Sequence, residues 1–337
     1  MRRVGNLMER IAHPDNLREA YLRAARGKST RPAVRNFAAE LNSNLKRMRC
    51  QLLDGTFTFG DYHYFTVYEP KRRDIYAAAF PVRVAFHAMM RICHPVFDDY
   101  QIDDSYASRK GKGTYAALNR ARQFAHRYRW FAKLDVVKYF ESLDHDVLKC
   151  QLRTLFKDRL LLFYFDRLID DYHAPLTGQG VPIGNLTSQY FANHYLSPAD
   201  HYAKQLLRVP GLVRYMDDVL LFNNDKRDLK QDVEKYTAYV RDQLHLSHHG
   251  IVLNECQRGI PFLGYVVRGD RLRLNLRSKR RFAAKMRALS HDLDVGVIDQ
   301  EQYAMRAGCL LAFIDKADSA GFRKKSALSA GMYPQGL

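Results

Sequence analysis

Leu212-Val213-Arg214-Tyr215-Met216-Asp217-Asp218-Val219-Leu220-Leu221-Phe222 constrains the rest of the chain most, because two adjacent carboxylates sit between two runs of branched and aromatic residues. A helix would scatter the acids among apolar positions, whereas two short strands joined by a tight turn collect them at one tip. The stretch therefore reads as a β-hairpin carrying Asp217 and Asp218 at its end. Two carboxylates so placed make a site for a hard divalent cation. Aspartate is also an ordinary turn residue that bonds its own backbone, so the hairpin alone leaves both readings open.

The charge narrows the partner. Lys and Arg number 54 against 36 Asp and Glu, a formal net charge of +18 over 337 residues. A surface that basic attracts a polyanion, since each neutralised phosphate releases condensed counterions. Nucleic acid is the first candidate. A membrane partner is not expected, because no apolar run approaches roughly 18 residues and no signal-peptide pattern opens the sequence. Cys50, Cys93, Cys150, Cys256 and Cys309 lie far apart with no CxxC pair, which predicts reduced thiols and a cytoplasmic location. His245, His248 and His249 with Cys256 match none of the usual zinc spacings.

Along the chain, residues 1–53 read as basic helices, with Leu7, Met8, Ile11, Phe37, Leu41 and Leu45 at helical spacings and a break at Pro32. Thr56 to Tyr68 is rich in aromatic and β-branched residues and reads as β-structure. It runs into Glu69-Pro70-Lys71-Arg72-Arg73, a turn presenting three cations that suit a triphosphate or, equally, solvent. Helical spacing returns over Pro81 to Tyr100, followed by a loop of small and basic residues, Ser105 to Thr114, without the GxxxxGK[ST] order. Trp130 to Leu134 is a short apolar strand ending at Asp135. Val136-Val137 follows instead of a helical pattern, so Asp135 fits a cap poorly, although an acid at a strand end can be structural; Asp144 is the better capping candidate for the next helix. Gly178 to Gln189 is a Gly/Pro/Asn loop leading into a helix that extends to about Val209. Lys226 to Leu244 is helical, 251–253 and 261–267 are strands, and basic helices follow from Ser278.

Basic hairpin, glycine loop, strand ending in Asp135, second glycine loop with helix, then the Asp217-Asp218 hairpin: in this order the sequence resembles the reverse transcriptases from about Tyr64 to Val267. Tyr215-Met216-Asp217-Asp218 is similar to the family's YxDD motif, Asp135 with Phe140 to its first catalytic block, and Phe262-Leu263-Gly264-Tyr265 to its FLGY block. The resemblance implies an α+β right-hand polymerase. Its parts would be an N-terminal basic helical region (1–53), fingers (54–130), a palm with an antiparallel sheet (131–275, with fingers-contributed helices about 145–185) and a small helical thumb (276–337). It implies an RNA-directed DNA polymerase that extends a primer on an RNA template with two Mg²⁺ ions, or Mn²⁺ in their place. The ions would be held by Asp135, the backbone of Val136, Asp217 and Asp218. Lys71 and Arg73 would grip the triphosphate, and Phe140 would pack under the sugar and exclude a 2′-hydroxyl. Ile183, Gly184 and Gln189 would lie by the nucleotide, and Tyr215, Met216, Phe262, Leu263, Gly264 and Tyr265 by primer and template.

One block departs from the common pattern. Where most bacterial relatives read QGxxxSP, this chain reads Ile183-Gly184-Asn185-Leu186-Thr187-Ser188-Gln189. That IGxxxSQ form resembles the enzymes of diversity-generating retroelements, which copy a template-repeat RNA with errors at adenines and work with a small basic accessory protein. An amide at position 183 could hydrogen-bond near the templating pair and isoleucine cannot, which would cost discrimination; simple packing against the palm would also account for Ile183. Retron and antiphage reverse transcriptases, which make a dedicated or repetitive DNA from a partner RNA, are similarly compact. An inactive RNA-binding module is the reading outside the class. The expected partners are a structured template RNA, its cDNA and dNTPs, with an accessory protein or an oligomeric partner, in a bacterial or phage-encoded system.

Overall fold

The structure is a computed structural model that describes residues 2–60, 62–68, 72–171, 178–318 and 321–322. The chain opens with four helices, α1 (Met8–Ile11), α2 (Pro14–Ala25), α3 (Pro32–Ala39) and α4 (Leu41–Asp54). Pro32 occupies the first turn of α3, where its missing N–H costs nothing. A two-stranded antiparallel hairpin, β1 (His63–Val67) and β2 (Arg73–Ala77), leads into the long helix α5 (Phe80–Tyr100), against which α1, α2 and α3 pack.

The β-rich reading of Thr56 to Tyr68 is corrected here, since only His63–Val67 forms a strand. Phe57 and Phe59 are instead buried in the helical core, with the Phe59 ring tilted against Phe86 and edge-on to Tyr164. Aromatic density there reflects anchoring of an irregular segment, not pairing.

Next come α6 (Thr114–Arg127), β3 (Trp130–Leu134), α7 (His145–Leu155), α8 (Arg159–Asp170), α9 (Leu186–Tyr195), α10 (Ser197–His201), β4 (Gly211–Tyr215) and β5 (Asp218–Asn223). α11 (Lys226–Leu244) and β6 (Val252–Glu255) follow. Asp144 caps α7, its carboxylate accepting from Val147 N at 3.0 Å. The expected helix up to Val209 is broken: α9 stops at Tyr195, α10 restarts around Pro198, and a wider π turn covers Tyr202–Leu206. Pro198 lacks the N–H that a continuous helix needs.

β3 to β6 form one antiparallel sheet in the order β4-β5-β3-β6. Both of its faces are covered. Ala132, Leu134, Leu212, Val219 and Leu221 join the core shared with α5, α9, α10 and α11. Phe131, Val213, Leu220 and Phe222 join a second core with α6 and a three-stranded antiparallel sheet, β7 (Ile260–Phe262), β8 (Tyr265–Val267) and β9 (Leu272–Leu274). Burial on both sides explains why β5 reads as an unbroken apolar run and not as an alternation. The helices α12 (Leu276–Asp294) and α13 (Gln300–Asp315) pack on each other and complete the second core.

Candidate active site

The strand register assembles the acids. Tyr215 pairs with Asp218 across a two-residue turn, and Leu134 pairs with Val219, so Asp135, one step beyond Leu134, emerges beside the start of β5. Side chains alternate along a strand, so positions 131, 133 and 135 of the β3 segment share a face with 218, 220 and 222 of β5. Asp217 stands at the tip itself. Its neighbour Met216 has φ +57°, a conformation normally left to glycine at a two-residue hairpin turn. Such strain costs about 1 kcal/mol or more and persists where surrounding contacts over-determine it.

Asp135, Asp217 and Asp218 line one cavity of about 440 Å³, together with Val136, Phe140 and Ile183. Arg72 and Arg73, from the β1-β2 hairpin, line the same cavity, so acids of the four-stranded sheet and cations of a separate hairpin meet there. Burial pushes the Asp217 carboxyl up to about 6, the charges of Asp218 and Asp135 push the same way, and Arg73 opposes them. Lys133 places its Nζ 2.9 Å from Oδ1 of Asp218, close enough for an ion pair. The approach is off the hydrogen-bond direction, and that buried oxygen has no hydrogen-bond donor. Three carboxylates with one unsatisfied oxygen and one proton affinity raised by its neighbours fit a cation-binding donor set. Among the described residues no three such groups stand close enough together to hold a metal ion as they are placed.

The remaining residues fall in several places. Ile183 accepts a hydrogen bond from Tyr76 N through its carbonyl at 3.0 Å, tying the second glycine loop to β2. Gly184, at φ +109°, lies so close that an added Cβ would meet Ile75 Cγ2 at 2.9 Å. The cavity lining does not include Gly184, nor Gln189, which is exposed on α9. Tyr215, Met216, Phe262, Leu263, Gly264 and Tyr265 also lie outside that lining. Phe262 and Tyr265 are buried in the second core, and Leu263-Gly264 makes the β7-β8 turn at φ +49° and +89°. Lys71 lies outside the described residues.

Residues 81–267 match the family model described as reverse transcriptase (RNA-dependent DNA polymerase). The chain belongs to this family. Among curated proteins it is 22% identical over 175 residues to a putative COX1/OXI3 intron 1 protein of Saccharomyces cerevisiae, a match covering 49% of this chain and 21% of that protein. The chain thus spans about a fifth of that relative's length. Among solved structures it is similar to apo telomerase from Candida tropicalis, with a TM-score of 0.50, 11% identity, and coverage of 87% of this chain and 64% of that one. A C. tropicalis apo telomerase truncated from its C-terminal domain gives a TM-score of 0.49 at 13% identity, over 64% and 55% of the two chains. The fold is that of a right-hand polymerase, and the four-stranded sheet is its palm.

Sequence reasoning assigned no role to the anchor of this reverse transcriptase palm. Arg214 is fully buried, and its Nε donates to both carboxylate oxygens of the equally buried Asp200 at 2.7 and 2.9 Å. Nη1 donates to Asn193 Oδ1 and to the carbonyl of Met216, at 2.9 and 3.1 Å. Nη2 donates to Gln101 Oε1 and Asn193 O at 2.9 and 3.0 Å. The strained residue of the acid turn is therefore fastened by a guanidinium whose every direction is used. Lys133 and Lys138 also line the acid cavity without having been singled out, as do Arg72, named only among three turn cations, and His249, weighed only against zinc spacings. The available signal was a charge inside an apolar strand, at Arg214 and at Lys133.

Proposed function

We propose that the chain is an RNA-directed DNA polymerase that extends a primer 3′-hydroxyl on a structured RNA template, and that its biological setting is a diversity-generating retroelement. The observation supporting the first part is the single cavity lined by Asp135, Asp217 and Asp218 together with Arg72 and Arg73. Asp135 and Asp217 serve as the shared cation ligands, with the Val136 backbone beside them, and Asp218 assists. When bound, two divalent cations, Mg²⁺ or Mn²⁺, supply positive charge at the attacking and leaving oxygens of an in-line phosphoryl transfer. Arg73, with Lys71, holds the triphosphate by charge and by the guanidinium fork. Phe140 lines the cavity, and in this reading its ring sets the floor under the nucleotide sugar. Ile183 supports the second part of the reading: it presents hydrocarbon where an amide could have donated or accepted, which lowers discrimination at insertion.

Primer extension on an RNA template with Mg²⁺ and dNTPs tests the activity. The parent should make cDNA and an Asp217→Asn Asp218→Asn variant should not; equal product from the two would end the polymerase reading. Phe140→Ala should incorporate ribonucleotides more readily than the parent. Sequencing cDNA made in cells tests the setting. Adenine-directed errors support diversification, and an accurate or repetitive copy contradicts it.

A further inference from the structure

The palm has a second charged feature at the opposite end of its sheet from the acids. α6 presents Asn119, Arg122, Gln123 and His126 at positions i, i+3, i+4 and i+7, all exposed, while Ala117, Leu118, Ala121 and Phe124 are buried against the second core. The β8-β9 turn, Arg268 to Arg271, lies directly against this stripe. A Cβ on Gly269 would meet His126 Cα at 2.9 Å, so only a glycine lets the turn come this close. Two open clefts, of about 470 and 680 Å³, share His126 and Gly269 and run along the junction. Their lining carries Arg122, Arg129, Arg268 and Arg271 against one carboxylate, Asp270.

Two of these guanidinium groups are bonded to carbonyls and not to acids. Arg122 Nε donates to Gly269 O at 3.3 Å, and Arg268 Nη2 to Arg258 O at 3.4 Å. Both line the clefts on a helix-and-hairpin frame, whereas Arg129 is paired with Glu255 at 3.2 Å and Arg271 with Asp270 at 2.9 Å. The neighbouring aromatics are not free to stack on bases: Tyr128 is buried against Phe124 and Phe222, and Trp130 has Arg129 and Lys226 over its ring. A surface with guanidinium forks and amides but no stacking platform suits a nucleic-acid backbone more than unpaired bases. The side chains of Asn119, Gln123 and Gln257 can both donate and accept, as a ribose 2′-hydroxyl requires. Arg129 and Asp135 flank β3 at its two ends, about 20 Å apart at ~3.3 Å per residue, so this surface is not part of the triphosphate site.

We propose that this paired cleft docks the backbone of double-helical RNA, giving the enzyme a grip on its RNA that is separate from the acid cavity. The proposal rests on the reading that the chain works on RNA. The full chain is tested by fluorescence anisotropy with a labelled RNA hairpin, a DNA hairpin of the same sequence and a single-stranded RNA, each at two salt concentrations. Arg122→Gln Arg268→Gln should weaken RNA-hairpin binding about ten-fold or more and flatten its salt dependence. Gln123→Glu, at an exposed helix position, should weaken it too without disturbing the core, whereas Arg122→Lys Arg268→Lys should retain most of it. Extension of a short primer–template should be unchanged. Unaltered hairpin binding, equal losses for all three nucleic acids, or displacement of the hairpin by polyglutamate as readily as by unlabelled RNA would each overturn the proposal. If the parent makes no cDNA yet the cleft variants lose the hairpin, the polymerase reading falls and the docking site stands. Normal extension with unaltered hairpin binding in the variants overturns the docking site alone.

Discussion

Asp200, fully buried, and Asp217, half-buried at the tip of the strand that carries Arg214, are treated oppositely by the fold. Asp200 is fully enclosed, and burial pushes its carboxyl up, but Arg214 covers both of its oxygens and opposes the shift. Asp217 is also pushed up by burial, yet its nearest charges are two further carboxylates, and its one opposing cation is Arg73 on another hairpin. A charge that serves the architecture brings its counter-ion with it. A charge left among like charges at the mouth of a cavity is arranged for something that arrives later.

Breaking the first region should have the larger effect. Arg214→Met leaves Asp200 buried without its partner and frees the Met216 carbonyl, so the chain should lose about 3–5 kcal/mol in urea unfolding. A loss near zero would mean that the pair does not anchor the turn.

The second region should respond with the opposite sign. The folded-state pKa of Asp217, about 6, lies above its ordinary value of 3.8. The folded chain therefore holds this proton more tightly, and the associated stability is present at low pH and lost as pH rises from about 4 to about 6. Asp217→Asn removes that loss, so without divalent cations it should gain on the order of 3 kcal/mol at neutral pH and nothing near pH 4. Denaturation of parent and variant across that range measures it.

Lys133 separates the two regions most finely. Its ion pair with Asp218 is about a quarter exposed on each side. Lys133→Met should therefore change metal-free stability by no more than about 1 kcal/mol. It should enlarge the rise in melting temperature on adding Mg²⁺, because Asp218 then has no cation of its own. An unchanged rise would place Lys133 outside the cation site.

The contrast also shows what the amino-acid order could disclose. The acid hairpin, α5 and α11 were legible because each is a local pattern: a symmetric apolar run around two acids, or a long helical spacing, over Pro81 to Tyr100 and over Lys226 to Leu244. Asp135 was legible because a strand ended there without a helix to cap. Arg214 was not, because Gln101, Asn193 and Asp200 reach it from just beyond α5, from α9 and from α10. Phe57 and Phe59 misled for a related reason, since β-propensity and burial of a loop favour the same residue types. The basic stripe on α6 was visible only as charge until the β8-β9 turn was placed against it.

The most direct test is calorimetric titration of Mg²⁺ into the full chain and into the Asp217→Asn Asp218→Asn variant, at neutral pH and without nucleic acid. The parent should show saturable binding that the variant lacks, while the variant's unfolding remains cooperative. Equal binding by both would contradict the assignment of these carboxylates as the cation site.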